Sequence, residues 1–248
     1  MDRHLFIQLS GSLAGRQVGS TLRRGDPTRA FQRISMVYFP MGDTNLFQPL
    51  TKEDKITVVL YRTGIFLSTL MVSICAFIVF KSLQADDAQV FPFIVSGLSL
   101  NIMLLVLYFS VGLSVFFIHL YIGQFYRTLK KIYYLAVVCL AVLFFIGHGN
   151  PVMPLFRVPS YGALLLLPLS LCLGFVTAKE AFCFRLIEGY ILAIMMPAYV
   201  FFYSVGALAG KSAAYSFIFI AAMLVFFMFR KIFMPMHYDI GDKSAYQP

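Results

Sequence analysis

The residues best able to do chemistry lie in one short polar stretch of a largely apolar chain. Residues 174–189 read GFVTAKEAFCFRLIEG, although only 12% of the whole sequence is charged. A carboxylate beside an amine can serve in acid–base chemistry, and a thiol can act as a nucleophile or a metal ligand. The side chains of this kind are Lys179, Glu180, Cys183, Arg185 and Glu188.

A helical wheel divides these side chains between two faces. If the stretch is one helix, Lys179, Glu180 and Cys183 share one edge, while Arg185 and Glu188 can pair three residues apart on the other. Because a charge at the centre of a bilayer costs about 2.5–3.5 kcal/mol, the stretch must lie at the interface or turn inside the protein. Two interpretations stay open: a polar connector between membrane helices, and a functional site.

The site interpretation requires other polar residues to lie on the same side of the membrane. It predicts an inner-face polar cluster composed of Arg62, His119, Tyr121, Lys179, Glu180 and Cys183. His148 falls on the opposite side and is not included. The sequence has no H-E-x-x-H, G-x-S-x-G or G-x-x-x-x-G-K-[ST] motif, so it predicts no metal site and leaves catalytic residues and cofactors unknown.

One strongly polar residue, Asn101, is predicted near the middle of the membrane, with serines around it. Such residues usually join helices, each contributing about 0.6–2 kcal/mol. Arg62, just inside the first span, is the deepest ionisable residue that the sequence predicts. Because a proton-coupled carrier normally places an ionisable group deep in the bilayer, this pattern disfavours ion-coupled transport.

Composition indicates a polytopic membrane protein. Hydrophobic residues make up 60% of the 248 residues, against about 45–50% in soluble domains. The net charge of +9 does not indicate nucleic-acid binding, because most basic residues flank apolar spans or lie before the first one. That placement favours contact with the bilayer and its anionic lipid headgroups. The four cysteines mostly lie in apolar runs and predict no disulfide framework.

Apolar runs and charge predict six transmembrane helices. A 34-residue run, 90–123, can be one long tilted helix or two short spans. With six spans, 17 of the 20 Lys and Arg fall on one side, whereas seven spans divide them 11 to 9, so the positive-inside rule selects six. We therefore predict an all-α membrane bundle with both termini inside and a long second helix. The spans lie at about 63–80, 92–118, 132–147, 160–178, 189–210 and 212–229.

The polar ends flank this transmembrane domain, which we place at 51–232. Residues 1–50 are basic, irregular and rich in Gly, Ser and Arg. They are interpreted as a disordered arm on an anionic membrane surface, a targeting segment, or an over-called start with translation beginning at Met36 or Met41. Residues 233–248 form a short polar C-terminal tail.

Three segments resemble the family called domain of unknown function 2301: PLTKEDKITVVLYRTGIFL (49–67), GLSVFFIHLYIGQFYRTLK (112–130) and TAKEAFCFRLIEG (177–189). The resemblance covers roughly residues 49–210 and implies a multi-helix integral membrane protein of bacteria, cyanobacteria among them, with no accepted activity. It implies the bacterial inner membrane, with a plastid or thylakoid membrane as the alternative. The family-like positions are Tyr61, Arg62, His119, Tyr121, Lys179, Glu180, Phe182, Cys183 and Glu188.

Three functions remain in order of preference. The first is a non-enzymatic membrane protein that joins or assists the assembly of a membrane complex, with other membrane proteins as partners. The second is a transporter or channel for a small solute. The third is a membrane-embedded enzyme in which Arg62, His119 and Glu180 converge on a pocket.

Overall fold

The computed structural model describes residues 51–84, 97–120, 123–156, 161–208, 210–235 and 239. The arm predicted at 1–50 and most of the tail predicted at 233–248 lie outside the described residues. The described part is all-α, as predicted, and contains no strand.

Eight helices make up the described part, and six of them are long and apolar enough to cross a membrane. The prediction of a six-helix membrane bundle is confirmed, whereas the inside location of both termini stays a prediction. The helices are α1 Lys52–Gln84, α2 Gly97–Phe117, α3 Gly123–Ile146, α4 Met153–Phe156, α5 Tyr161–Leu164, α6 Leu167–Phe184, α7 Ile187–Ser204 and α8 Gly210–Ile232.

Helix α1 begins earlier than its apolar run predicts. Thr51 and Asp54 cap it reciprocally: the Thr51 N–H donates to Asp54 Oδ2 (2.9 Å) and the Asp54 N–H donates to Thr51 Oγ1 (3.2 Å). Its 33 residues extend about 50 Å, compared with about 30 Å of hydrocarbon. The polar first turns therefore project beyond the apolar part, and Arg62 lies near that boundary.

Helix α2 ends one residue before the predicted end at 118, and its predicted start at 92 lies outside the described residues. It ends at Phe117 and α3 starts at Gly123, so the run 90–123 is not one long helix. The Tyr126 hydroxyl donates to the Phe116 carbonyl (2.9 Å), which satisfies one of the acceptors left at the end of a helix. This contact stabilises the break between α2 and α3.

The polar stretch 174–189 forms a helix, a turn and a second helix. Helix α6 carries Pro168 in its first turn, where proline is tolerated, and continues to Phe184, past the predicted end at 178. Arg185 then adopts a left-handed conformation with φ 54°, and α7 begins at Ile187. The assumption of one continuous helix is therefore wrong for this stretch.

The membrane-crossing helices pack as a ring with one peripheral member. Helix α1 packs on α2 and α8, α6 packs on α2 and α7, and α7 packs on α8, which closes the ring. Helix α3 packs on α6 and α2 from outside. The α1–α2 contact is close: a Cβ added at Gly64 would collide with Ser114 Oγ and would lie 2.6 Å from the Ser110 carbonyl oxygen.

Candidate functional site

Five charged side chains meet at one end of the ring, and we call them the charged cluster. Helix α1 begins at this end, α6 and α8 finish there, and Asp239, which follows α8 in the sequence, also lies there. The charged cluster consists of Arg62, Lys179, Glu180, Lys231 and Asp239.

Glu180 lies in the last turn of α6 and is fully buried. Its Oε1 accepts a hydrogen bond from the Tyr61 hydroxyl (2.6 Å) and pairs with Lys179 Nζ (2.8 Å). Its Oε2 pairs with Lys231 Nζ from the last turn of α8. One carboxylate therefore joins α1, α6 and α8, which are far apart in sequence.

Asp239 lies beyond the end of α8, yet its side chain is only 1% exposed. Oδ2 accepts from Arg62 Nε (2.7 Å) and pairs with Arg62 Nη2 (2.6 Å), while Oδ1 accepts from Lys231 Nζ. The Arg62 guanidinium also donates to the Pro235 carbonyl (3.2 Å). The segment that follows α8 is thereby attached to α1.

The ion pairs alternate in sign from one end of the charged cluster to the other, in the order Lys179, Glu180, Lys231, Asp239 and Arg62. Three cations and two anions give a formal charge of +1. The ring of Phe184 lies 4.1 Å from Lys231 Nζ and adds a cation–π contact. Because every member is paired, the arrangement can hold helix ends together, and removing one partner would leave a buried charge uncompensated.

The structure brings together three of the six residues that were predicted to form an inner-face cluster. Arg62, Lys179 and Glu180 belong to the charged cluster, but Arg62 and Glu180 are connected only through Lys231 and Asp239. His119 Nε2 lies 3.3 Å from Thr57 Oγ1 on α1. Cys183 is exposed in the last turn of α6, and Tyr121 lies outside the described residues.

The predicted pairing of Arg185 with Glu188 is wrong. The left-handed turn at Arg185 separates the two side chains, and Glu188 Oε1 pairs with Arg230 Nη1 (2.6 Å). This pair joins the start of α7 to the end of α8 and lies beside the charged cluster in sequence, since Lys231 follows Arg230.

Asn101, the residue predicted near the middle of the membrane, lies on α2. It stands four residues after Gly97, the first residue of α2, and its Oδ1 accepts from the Val152 N–H (3.4 Å). Asn101 therefore attaches α2 to the connection that follows α3. The depth of Asn101 in the membrane stays a prediction.

Within the residues that the structure describes, no three His, Cys, Asp or Glu side chains are grouped closely enough to hold a metal ion. The four cysteines are all free thiols, and Cys172 is buried.

Comparisons with known proteins give the same class. The family model described as "Uncharacterized integral membrane protein (DUF2301)" matches residues 113–247, more than half of the chain. An uncharacterized protein of Haemophilus influenzae is 26% identical over 212 residues, which cover 84% of this chain and 99% of that protein. No solved structure matches the chain. The predicted family is thus confirmed, although the segment 49–67 lies outside the matched range.

Proposed function

The chain belongs to the uncharacterized integral membrane protein family DUF2301, and we propose that it acts as a non-enzymatic partner in the assembly of a membrane protein complex. One observation carries the proposal: the charges of the cluster are paired with each other. Within the described part of the chain, the partners of Glu180 and Asp239 are basic side chains and the Tyr61 hydroxyl. Such a network favours a fixed bundle end more than a reacting centre.

Exposed basic residues support a location at an anionic membrane surface. Arg127, Lys131 and Arg185 are exposed at the same end as the charged cluster. Lys130 packs 4.0 Å from the centre of the Tyr126 ring, an arrangement typical of side chains that extend along a membrane interface. We propose that these residues contact anionic lipid headgroups of the inner leaflet of a bacterial inner membrane.

Affinity purification of the tagged protein in a mild uncharged detergent tests the assembly role. We expect defined membrane subunits to co-purify in constant ratio with the wild type, and the complex that contains them to decrease when the gene is deleted. Another tagged six-helix membrane protein, expressed at the same level, controls for unspecific capture. A protein that purifies alone, and whose deletion changes no membrane complex, would contradict the proposal.

A small-solute transporter is the second candidate. It is supported by the charged cluster, which joins α1, α6 and α8, because ion pairs between membrane helices often mark solute pathways. A single cysteine at buried Val176 distinguishes the two functions. In a background of Glu180→Gln, a transporter should expose this cysteine to a membrane-impermeant thiol reagent. A fixed scaffold that stays folded should leave the cysteine unlabelled.

A further inference from the structure

The Asp239 carboxylate is held as a bound ligand would be held. Both of its oxygens have cationic partners, with Arg62 on Oδ2 and Lys231 on Oδ1. The planar guanidinium fork suits carboxylate and phosphate groups, and a lysine provides a compact second charge. Arg62 is itself oriented by the carbonyls of Ile232 (3.4 Å) and Pro235 (3.2 Å).

Charge counting indicates what happens when this carboxylate is removed. The remaining members of the cluster are three cations and Glu180 alone, so the formal charge rises from +1 to +2 in a site where Arg62 is 13% exposed and Lys231 is 2% exposed. Uncompensated charge in such surroundings is costly. An external oxyanion would restore the alternation of charges.

We propose that Arg62 and Lys231 form an oxyanion site, which Asp239 occupies in this structure as an internal ligand and which takes an external carboxylate or phosphate when Asp239 is absent. Arg62 lies directly before the apolar part of α1. A lipid headgroup phosphate and a small soluble anion share the required chemistry. The site is independent of the assembly role proposed above.

Anion rescue of Asp239→Ala tests the site. In uncharged detergent we expect the variant to lose on the order of 10 °C in Tm, because Arg62 and Lys231 lose their shared partner. Acetate or inorganic phosphate should restore at least half of the loss and saturate with concentration. Chloride at equal ionic strength should not, and wild-type Tm should change little.

Two control variants show whether the rescue uses this site. Glu188→Ala also removes a carboxylate, but its partner Arg230 is 45% exposed, so acetate should give no specific rescue. Arg62→Gln combined with Asp239→Ala should abolish the rescue. Equal rescue by chloride, rescue of Glu188→Ala, or rescue that survives without Arg62 would overturn the proposal.

Varying the lipid composition distinguishes a lipid headgroup from a soluble anion as the occupant of the site. Nanodiscs of anionic phosphatidylglycerol should stabilise Asp239→Ala more than nanodiscs of zwitterionic phosphatidylcholine if a lipid headgroup phosphate enters the site. Rescue by acetate or inorganic phosphate in detergent without added lipid indicates a soluble anion. Absence of rescue in every condition refutes the site. If Asp239→Ala and the isosteric Asp239→Asn are not recovered, the yield of folded protein with and without acetate becomes the readout. An equal yield of folded protein with and without acetate also refutes the site.

Discussion

Glu180→Gln is the substitution that most directly tests the charged cluster. It preserves the size of the side chain and an acceptor for the Tyr61 hydroxyl, but it removes the negative charge. Lys179 then loses its carboxylate partner, and Lys231 keeps only Asp239. The formal charge of the cluster rises from +1 to +2.

The magnitude follows from burial. Breaking a buried ion pair typically costs about 3–5 kcal/mol. Lys179 is 8% exposed and can extend toward water, so we expect about 2–3 kcal/mol for Glu180→Gln. Glu180→Ala also leaves the buried Tyr61 hydroxyl without its acceptor, which adds about 1–3 kcal/mol. The alanine variant should therefore be the less stable of the two.

Equilibrium unfolding in mixed micelles, followed by circular dichroism, measures these differences in free energy. Glu188→Gln is the matched control, because its partner Arg230 is 45% exposed and such pairs contribute about 0–1 kcal/mol. If Glu180→Gln costs no more than Glu188→Gln, the cluster is not a buried network in the folded protein. Equal losses for Glu180→Gln and Glu180→Ala would show that the Tyr61 hydrogen bond contributes nothing.

The remaining predictions concern packing, backbone conformation and orientation. Gly64→Ala places a methyl group 2.6 Å from the Ser110 carbonyl oxygen, so it should lower the free energy of unfolding by about 1–3 kcal/mol, and an unchanged value would contradict the close α1–α2 contact. Arg185→Gly should raise that free energy by about 0.5 kcal/mol, because glycine adopts φ 54° without steric cost; a loss would show that the Arg185 side chain is needed. Exposed Cys183 should react with a membrane-impermeant thiol reagent only from the predicted inner side, with buried Cys172 unlabelled, and labelling from the outer side alone would reverse the topology.

Local sequence properties were sufficient to predict the all-α membrane class of the protein and the number of its membrane helices. Hydropathy and flanking charge act over windows about as long as one helix, and both predicted six spans correctly. Helix ends were predicted less well, because a paired charge does not end a helix. Helix α6 continues six residues beyond the predicted end at 178, since Glu180 is neutralised by Lys179 and Lys231.

Three of the five members of the charged cluster could be found from residue type, and the other two could not. Lys179, Glu180 and Arg62 attracted attention because they are charged residues in or beside apolar segments. Lys231 had the appearance of an ordinary basic residue flanking a span, and Asp239 that of a residue in a polar tail. Lys231 contacts Glu180 across 51 positions of the sequence, and Asp239 contacts Arg62 across 177, which no local pattern records.

The charged cluster also explains how helices with such uniform surfaces find one arrangement. Helices α2 and α7 are apolar around most of their circumference, and lipid tails solvate apolar side chains about as well as another helix does. Apolar burial therefore distinguishes weakly between alternative pairings. Close approach at Gly64 selects α2 as a neighbour of α1, and Glu180 allows only an arrangement that brings Tyr61 and Lys231 to the same depth. A register shift of one residue in α8 would rotate Lys231 away from Glu180 by about 100° and leave a buried charge alone. The few polar contacts at this end thus set a register that apolar packing leaves open.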